Sequence, residues 1–222
     1  MNRDLQTLAL AAGYFAVLLA LVETLRRRVH VASDVTRNIF LVGTGAWALA
    51  AVRLFEDKGD AVLVYGALAA LLYLSFRFEL FVGIEDSGPS LGPVFLALAS
   101  ASLLAFFWND RIEIGLAAIF AAAFGDAAAA LVGRRFGTRK FRSGAHMRSM
   151  EGTLAMFLVA GLVMAPILAG SSGIGWHQAI AFSLITATVA ASVEAGSAYG
   201  TDNLTVPLAA AATLVVLFRF AQ

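Results

Sequence analysis

An acidic residue stands just before a basic loop in the stretch between Gly125 and Thr153. Asp126 lies inside an apolar segment that continues to Val132. A carboxylate at such a position is costly, so it is usually partnered or functional. We predict that Asp126 binds Mg²⁺, which proteins hold through one or two carboxylates together with substrate phosphates and water. A plain hydrogen bond to a neighbouring helix is the alternative.

The loop after this segment is rich in cations. Its charged and ionisable members are Arg134, Arg135, Arg139, Lys140, Arg142, His146 and Arg148. Several cations are needed to offset a triphosphate and the charge that develops during phosphoryl transfer. We therefore predict Arg134, Arg135, Lys140 and Arg148 as phosphate ligands. Basic residues beside a helix end also follow from membrane topology and anionic lipid alone, and we assign Arg139 and Arg142 to that role.

The segment from Arg148 to Thr153 combines a cation, a hydroxyl, a carboxylate and a glycine at the start of an apolar helix. Because helix N-termini bind anions, Ser149 and Gly152 are predicted to contact phosphate, with Glu151 as a catalytic carboxylate. Ser149 and Glu151 can also simply cap the helix, and capping is compatible with catalysis.

Two more acidic residues lie near the joint from Tyr199 to Thr205. Glu194 is embedded in an apolar segment and is predicted to be catalytic, while Asp202 is the second predicted metal ligand. Asp202 and Asn203 can instead be a turn and cap pair. Glu23 is explained by a helical ion pair with Arg26 or Arg27.

The composition indicates a membrane protein. The chain has 222 residues, of which 60% are hydrophobic and 14% charged, and its mean hydropathy is +0.81. Soluble domains average about 25% charged residues. The net charge of +1 provides no general attraction for nucleic acid, so no nucleic-acid partner is predicted. The absence of cysteine excludes disulfides, thiolate metal sites and a cysteine nucleophile. His30, His146 and His177 are predicted on separate loops and lack ligand spacing, which argues against zinc.

The predicted fold is a single all-α transmembrane domain, 1–222, with seven to eight helices. Backbone groups in lipid must be satisfied within each segment, so the apolar segments must be helical. They lie near 5–25, 38–55, 60–77, 93–109, 112–133, 152–170, 177–197 and 204–220. Pro207 is predicted in the first turn of the last helix, where its missing N–H matters least.

Charge predicts the orientation. Basic residues concentrate in the first and fifth loops, so the positive-inside rule places the odd-numbered loops in the cytoplasm and both termini outside. The basic loop, the joint from Tyr199 to Thr205 and the acidic pair Glu85-Asp86 then share one face. The predicted localisation is an integral membrane protein, in the cell membrane if the source is prokaryotic.

The usual nucleotide motifs are missing. The sequence has neither a GxxxxGK[ST] phosphate loop nor the glycine-rich loop and catalytic motifs of protein kinases. A nucleotide must therefore be held by an arrangement specific to membrane proteins.

Three segments together resemble a known family. GDAAAALVGRRFG, RSMEGT and EAGSAYGTDNLTVP, within Gly125 to Pro207, resemble the CTP-dependent lipid-alcohol kinases. These include dolichol, polyprenol and phytol kinases and a CTP-dependent diacylglycerol kinase, and they are related to phosphatidate cytidylyltransferases. The resemblance implies transfer of the γ-phosphate of CTP to a long-chain lipid alcohol with Mg²⁺, in contact with membrane lipid.

The resemblance also implies roles for single residues. Asp126 matches the acid of the first motif, and Arg148 matches a position that is usually lysine. The following serine, glutamate and glycine are Ser149, Glu151 and Gly152, and the last motif contains Glu194, Asp202, Asn203, Thr205 and Pro207. Asn203 is thereby a predicted nucleotide contact. Family members often carry arginine-lysine-x-x-histidine early in the chain. Here Arg37 remains, as a predicted phosphate ligand, while Asn38 and Leu41 replace the lysine and histidine.

Two other functions stay open at this point. A cytidylyltransferase would make a CDP-lipid from CTP and a lipid phosphate, but the chain lacks the lysine- and glycine-rich C-terminal signature of those enzymes. A small transporter would use Asp126 and Glu194 as a proton or cation path, although no inverted repeat is visible. The sequence predicts no particular alcohol and no oligomeric state.

Overall fold

A computed structural model describes residues 3–84, 90–143, 146–170, 173–197 and 200–221, without the side chains of Arg3, Asp4, Ser143 and His146. The described residues form eight helices and one two-stranded hairpin. The helices are α1 (Arg3–Arg27), α2 (Ser33–Leu54), α3 (Lys58–Phe78), α4 (Gly92–Phe107), α5 (Ile112–Phe136), α6 (Met150–Ala169), α7 (Trp176–Gly196) and α8 (Asp202–Phe220). The strands are β1 (Lys140–Ser143) and β2 (His146–Ser149). The predicted all-α membrane bundle is confirmed.

Seven of the described helices are long and apolar enough to cross a membrane, and α4, with 16 residues, is the short one. Most of α4 is buried, including Leu96, Ala97 and Leu104. A helix that is apolar on all sides is stable when other helices surround it. Here α4 packs against α3, α5 and α8, so it forms the centre of the bundle.

The packing of α5 on α6 is the most extensive in the molecule. The sequence predicts a face of small residues at Gly125, Ala129 and Gly133, spaced four apart, that lets another helix approach closely. The structure confirms it: a Cβ on Gly125 would lie 3.2 Å from Met156, and a Cβ on Gly152 would lie 2.8 Å from the carbonyl oxygen of Ala129. This close approach fixes the position of Asp126 relative to the start of α6.

The sequence analysis treats the segment between α5 and α6 as an irregular loop. In the structure, part of this segment forms the two-stranded hairpin. Its strands pair antiparallel, with Phe141 opposite Arg148 and Arg142 opposite Met147. The N–H of Met150 donates to the carbonyl of Arg139 at 3.0 Å, which ties the hairpin to the first residue of α6. The hairpin therefore positions Arg148 through backbone pairing.

Contacts between distant segments bring the odd-numbered loops to one end of the bundle, here called the hairpin end. The N–H of Gly83 donates to Glu23 at 2.8 Å, Arg134 pairs with Asp34, and Arg148 pairs with Asp202. The predicted grouping of these loops on one face is confirmed, while Glu85-Asp86 and Tyr199 lie outside the described residues. That this end faces the cytoplasm stays a prediction.

Two local predictions are corrected. Helix α8 begins at Asp202, two residues earlier than predicted, so Pro207 is its sixth residue and lies in the second turn. Asn203, four residues before it, loses a helical N–H partner for its carbonyl because proline has none. His177, predicted on a loop, is the second residue of α7.

Candidate active site

A cavity of about 430 Å³ opens at the hairpin end of the bundle. Residues from α2, α5, both strands, α6, α7 and the start of α8 line it. Its charged lining residues are the cations Arg37, Arg134, Lys140 and Arg148 and the carboxylates Asp126, Glu194 and Asp202. The cavity thus brings together seven of the residues that the sequence singled out, from four helices and the hairpin.

Three carboxylates converge in this cavity and are here called the acidic cluster: Asp126 of α5, Glu194 of α7 and Asp202 of α8. One oxygen of each lies within 4.8 Å of the others. Glu194 is only 4% exposed, and it precedes the end of α7 by two residues. Asp202 is the first residue of α8, and its Oδ1 accepts a hydrogen bond from the N–H of Asn203 at 3.0 Å. Two helix ends and the packed face of α5 therefore hold the cluster.

The acidic cluster is incompletely satisfied. Asp126 Oδ2 and Glu194 Oε2 are buried, and neither has a hydrogen-bond partner among the described residues. A buried anionic oxygen without a partner is unfavourable by several kcal/mol. Oxygen ligands on converging carboxylates are what Mg²⁺ takes in proteins. The residues present therefore fit a divalent cation, which Asp126 and Asp202, with Glu194 beside them, would hold when it is bound.

Arg148 bridges the ends of α7 and α8. Its guanidinium pairs with Glu194, and its Nη2 donates to Asp202 Oδ2 at 3.0 Å and to the carbonyl of Ser197 at 3.1 Å. The side chain is 15% exposed. A planar guanidinium serves several acceptors at once, which a lysine ammonium does with less geometric control. Arg148 thus offsets the charge of the acidic cluster and fixes the spacing of two of its carboxylates.

The other predicted phosphate ligands divide into two groups. Arg37, Arg134 and Lys140 line the cavity, and Arg134 pairs at its rim with Asp34 in the first turn of α2. Arg135 is exposed and lies outside the lining. The sequence does not indicate that Asp34 pairs with Arg134, because an acidic residue in the first turn of a helix is common.

Ser149, Glu151 and Gly152 serve the structure in visible ways. Ser149 is the N-cap of α6, and its hydroxyl accepts from the N–H of Gly152 at 3.1 Å, as the capping alternative predicted. The carboxylate of Glu151 accepts from the Thr138 hydroxyl at 2.6 Å and from the N–H of Arg139 at 3.2 Å. Ser149 and Gly152 also line the cavity, whereas Glu151 does not.

Asn203 lies beside the cavity, not in its lining, and is 3% exposed. A Cβ on Gly92 of α4 would lie 2.9 Å from its Nδ2. Gly200, with φ of +78°, lies against the backbone of Gly92, where a Cβ would come within 3.2 Å. Both the left-handed conformation and the close approach require glycine there. The sequence shows these glycines but not that they meet.

Comparison with known proteins gives relatives along nearly the whole chain. A phytol kinase of Synechocystis is 34% identical over 208 residues, covering 91% of this chain and 87% of that protein. A probable chloroplastic phytol kinase of Triticum aestivum is 27% identical, and the similarity covers 96% of this chain and 76% of that protein. Phytol kinase 1 of Arabidopsis thaliana, also chloroplastic, is 26% identical, and the similarity covers 91% of this chain and 72% of that protein.

No family model and no solved structure matches the chain. The regions of similarity extend well beyond Gly125 to Pro207, where the sequence motifs lie, and include the N-terminal half of the chain. With identity above 30% across most of both proteins in the Synechocystis comparison, the chain belongs to the phytol kinase family.

Proposed function

We propose that this protein is a membrane kinase that transfers the γ-phosphate of CTP to a long-chain lipid alcohol in the presence of Mg²⁺. The observation that carries the proposal is the acidic cluster, with its unpartnered oxygens, inside a cavity lined by four cations. Phosphoryl transfer asks little covalent chemistry of a protein and much positioning and charge neutralisation.

The cations and carboxylates have separate tasks in this proposal. Arg37, Arg134 and Lys140, which line the cavity from three elements, hold the phosphates of the nucleotide. Asp126 and Asp202, supported by Glu194, hold Mg²⁺, which neutralises charge on the β- and γ-phosphates when it is bound. Arg148 keeps Glu194 and Asp202 in register.

The reaction proceeds by attack of the alcohol oxygen on the γ-phosphorus. The bond from that phosphorus to the β-phosphate oxygen breaks, CDP leaves, and the alcohol proton passes to a carboxylate of the acidic cluster. The buried oxygens Asp126 Oδ2 and Glu194 Oε2 support this arrangement, since a carboxylate oxygen shielded from water acts more strongly on a nearby charge.

The relatives are named phytol kinases, which makes phytol and geranylgeraniol the first alcohols to test, with dolichol, polyprenol and diacylglycerol after them. CTP as the donor rests on the resemblance of the Gly125 to Pro207 motifs to CTP-dependent lipid kinases. We further propose that the hairpin end faces the cytoplasm, because the basic residues are concentrated there.

The test is a transfer assay with purified protein in detergent, Mg²⁺ and γ-labelled CTP, ATP, GTP or UTP. The acceptors are phytol, geranylgeraniol, a polyprenol, dolichol, diacylglycerol and phosphatidic acid. The proposal predicts label on an alcohol, release of CDP, and loss of transfer with a chelator. Pyrophosphate released with phosphatidic acid would make the protein a cytidylyltransferase instead. Transfer to no alcohol from any of the nucleotides would overturn the proposal.

A further inference from the structure

One large apolar side chain lies in the candidate active site, where charged and small residues form the rest of the lining. Met147, on β2, is 64% exposed and lines the cavity. Among the described lining residues it is the only large apolar one, and the other apolar members are alanines and glycines. The charged residues suit phosphate and metal, so the proposed function leaves Met147 without a role.

The register of the hairpin sets Met147 beside a cation that the proposed function assigns to phosphate. Lys140 pairs with Ser149, and Arg142 pairs with Met147. Because side chains alternate between the two faces of a strand, these two pairs share one face of the hairpin. Lys140 and Met147 are then diagonal neighbours, about 7–8 Å apart. Both line the cavity, so this face of the hairpin turns toward it.

Strand β2 reaches the cavity from its other face as well. Arg148, which follows Met147, pairs with Glu194 and Asp202 of the acidic cluster. Consecutive residues of β2 therefore contact two parts of the cavity, Arg148 the carboxylates and Met147 the side that holds Lys140. A ligand whose phosphates lie between the acidic cluster and Lys140 has its remaining part within reach of Met147.

The hairpin lies on the aqueous side of the bundle. It is a two-stranded sheet, so within the described chain each strand has a neighbouring strand on one side alone. Open sheet edges do not occur in contact with the hydrocarbon of a bilayer, where backbone groups find no water. An exposed methionine at this level contacts a ligand that arrives from the water. The chain of a lipid alcohol stays in the hydrocarbon, which its methylene groups favour.

We propose that Met147 forms the subsite for the nucleobase of the phosphate donor. This inference rests on the proposed kinase function and deepens it. A nucleotide carries phosphates, which the cavity cations bind, and a flat aromatic base, which needs an apolar contact. Methionine is flexible, and its thioether makes favourable contacts with aromatic rings. Every base has an aromatic face, so the contact raises the affinity for the nucleotide without selecting one base.

The experiment compares the steady-state kinetics of the wild type, Met147→Ala and Met150→Ala, with CTP as donor and phytol or geranylgeraniol as acceptor. Met147→Ala should raise the KM for CTP about three- to tenfold, the loss expected for a sulfur–aromatic contact, and change the KM for the alcohol by less than about twofold. Met147→Leu, which keeps a large apolar side chain, should recover most of the affinity for CTP.

Met150→Ala is the matched control. Met150 is 58% exposed and stands three residues after Met147, but it lies outside the cavity lining. Its alanine variant should keep both KM values. Both alanine variants should melt near the wild-type temperature in detergent, because the side chains removed are exposed and surface substitutions change stability little.

Inorganic tripolyphosphate separates a base contact from a phosphate contact, because it carries three phosphates and no base. Its inhibition constant against CTP should agree within about twofold between the wild type and Met147→Ala. Lys140→Ala should instead weaken the binding of both CTP and tripolyphosphate, since Lys140 is assigned to phosphate. The two variants thus divide the nucleotide into its parts.

The outcomes separate the two proposals. A wild type that phosphorylates no alcohol from any nucleotide defeats the proposed function and the subsite with it. An active wild type whose Met147→Ala variant keeps its KM for CTP overturns the subsite alone. So does a rise in the KM for the alcohol instead, which would place the lipid chain at Met147, or an equal loss of tripolyphosphate inhibition.

Two further measurements keep the test decisive. If tripolyphosphate does not compete with CTP in the wild type, the KM values of Met147→Ala and Met147→Leu decide between the base and the alcohol. If Met147→Ala fails to fold, Met147→Gln replaces it, because glutamine has a similar length without the thioether and should show the same rise in the KM for CTP.

Discussion

Glu23 and Asp126 are both carboxylates embedded in apolar helices near the hairpin end, and their surroundings differ. Glu23 accepts from Arg27 through one oxygen and from the N–H of Gly83 through the other. Asp126 has a buried oxygen with no partner in the described chain and two further carboxylates close by. The first carboxylate ties α1 to the loop after α3. The second has an oxygen available for a ligand. For a carboxylate within an apolar helix, its hydrogen-bond partners therefore indicate its role better than its position along the helix does.

The strongest test of this contrast is Asp126→Asn against Glu23→Gln. We expect Asp126→Asn to lower kcat/KM by about three orders of magnitude or more, because the amide loses the charge that a metal ligand needs. Glu23→Gln keeps an acceptor for Gly83 and should change kcat/KM by less than about twofold, since its partner Arg27 is 60% exposed and an ion pair to an exposed side chain contributes little.

Both variants should elute as folded protein and melt near the wild-type temperature. Retained activity in Asp126→Asn would remove this residue from the metal site. A collapse of activity in Glu23→Gln would show that satisfied acids also serve the reaction, and the contrast between the two carboxylates would fail.

Sequence reasoning found the helices because hydropathy and the need to satisfy backbone groups in lipid act locally. It also proposed Asp126, Glu194, Asp202 and Arg148, since charged side chains inside or beside apolar segments stand out. The structure brings these four together. Their assigned roles in metal and phosphate binding stay predictions.

The sequence does not show which distant segments come into contact. The pairing of Phe141 with Arg148 depends on strand register, and the contact of Gly92 with Gly200 depends on the packing of α4 near the start of α8. Neither leaves a periodic signal.

A second test concerns the residue that joins the cluster to the hairpin. Arg148→Ala should lower kcat/KM by about two orders of magnitude, since Glu194 and Asp202 lose their shared partner and repel each other. Arg148→Lys should lose about tenfold, because a single ammonium holds two carboxylates and the Ser197 carbonyl less well. An Arg148→Ala variant faster than the wild type would show that this pairing restrains the reaction.

The third test asks whether close helix packing holds the cluster in place. A Cβ on Gly152 would lie 2.8 Å from the carbonyl of Ala129 and 3.3 Å from Gly133. Gly152→Ala should therefore force α5 and α6 apart and lower the free energy of unfolding by about 1–3 kcal/mol, measured by thermal denaturation. Gly161→Ala is the control on the same helix, where a Cβ meets only Leu184 and Ala187 at ordinary distances of 3.6 and 3.8 Å. Equal stability of the two variants would contradict the packing argument.

The smallest effect is expected at Glu151, which extends the contrast to a third carboxylate. Its oxygens accept from the Thr138 hydroxyl and the Arg139 N–H, so it resembles Glu23 in being satisfied, although the sequence motif marks it as catalytic. Glu151→Gln keeps an acceptor at this position and should lower kcat/KM by less than about fivefold. Thr138→Val, which removes the donor instead, should do the same, because both changes loosen only the segment that leads into β1. If Glu151→Gln is as inactive as Asp126→Asn while Thr138→Val stays active, Glu151 acts on the substrate directly. The presence of hydrogen-bond partners would then no longer distinguish structural from catalytic carboxylates in this protein.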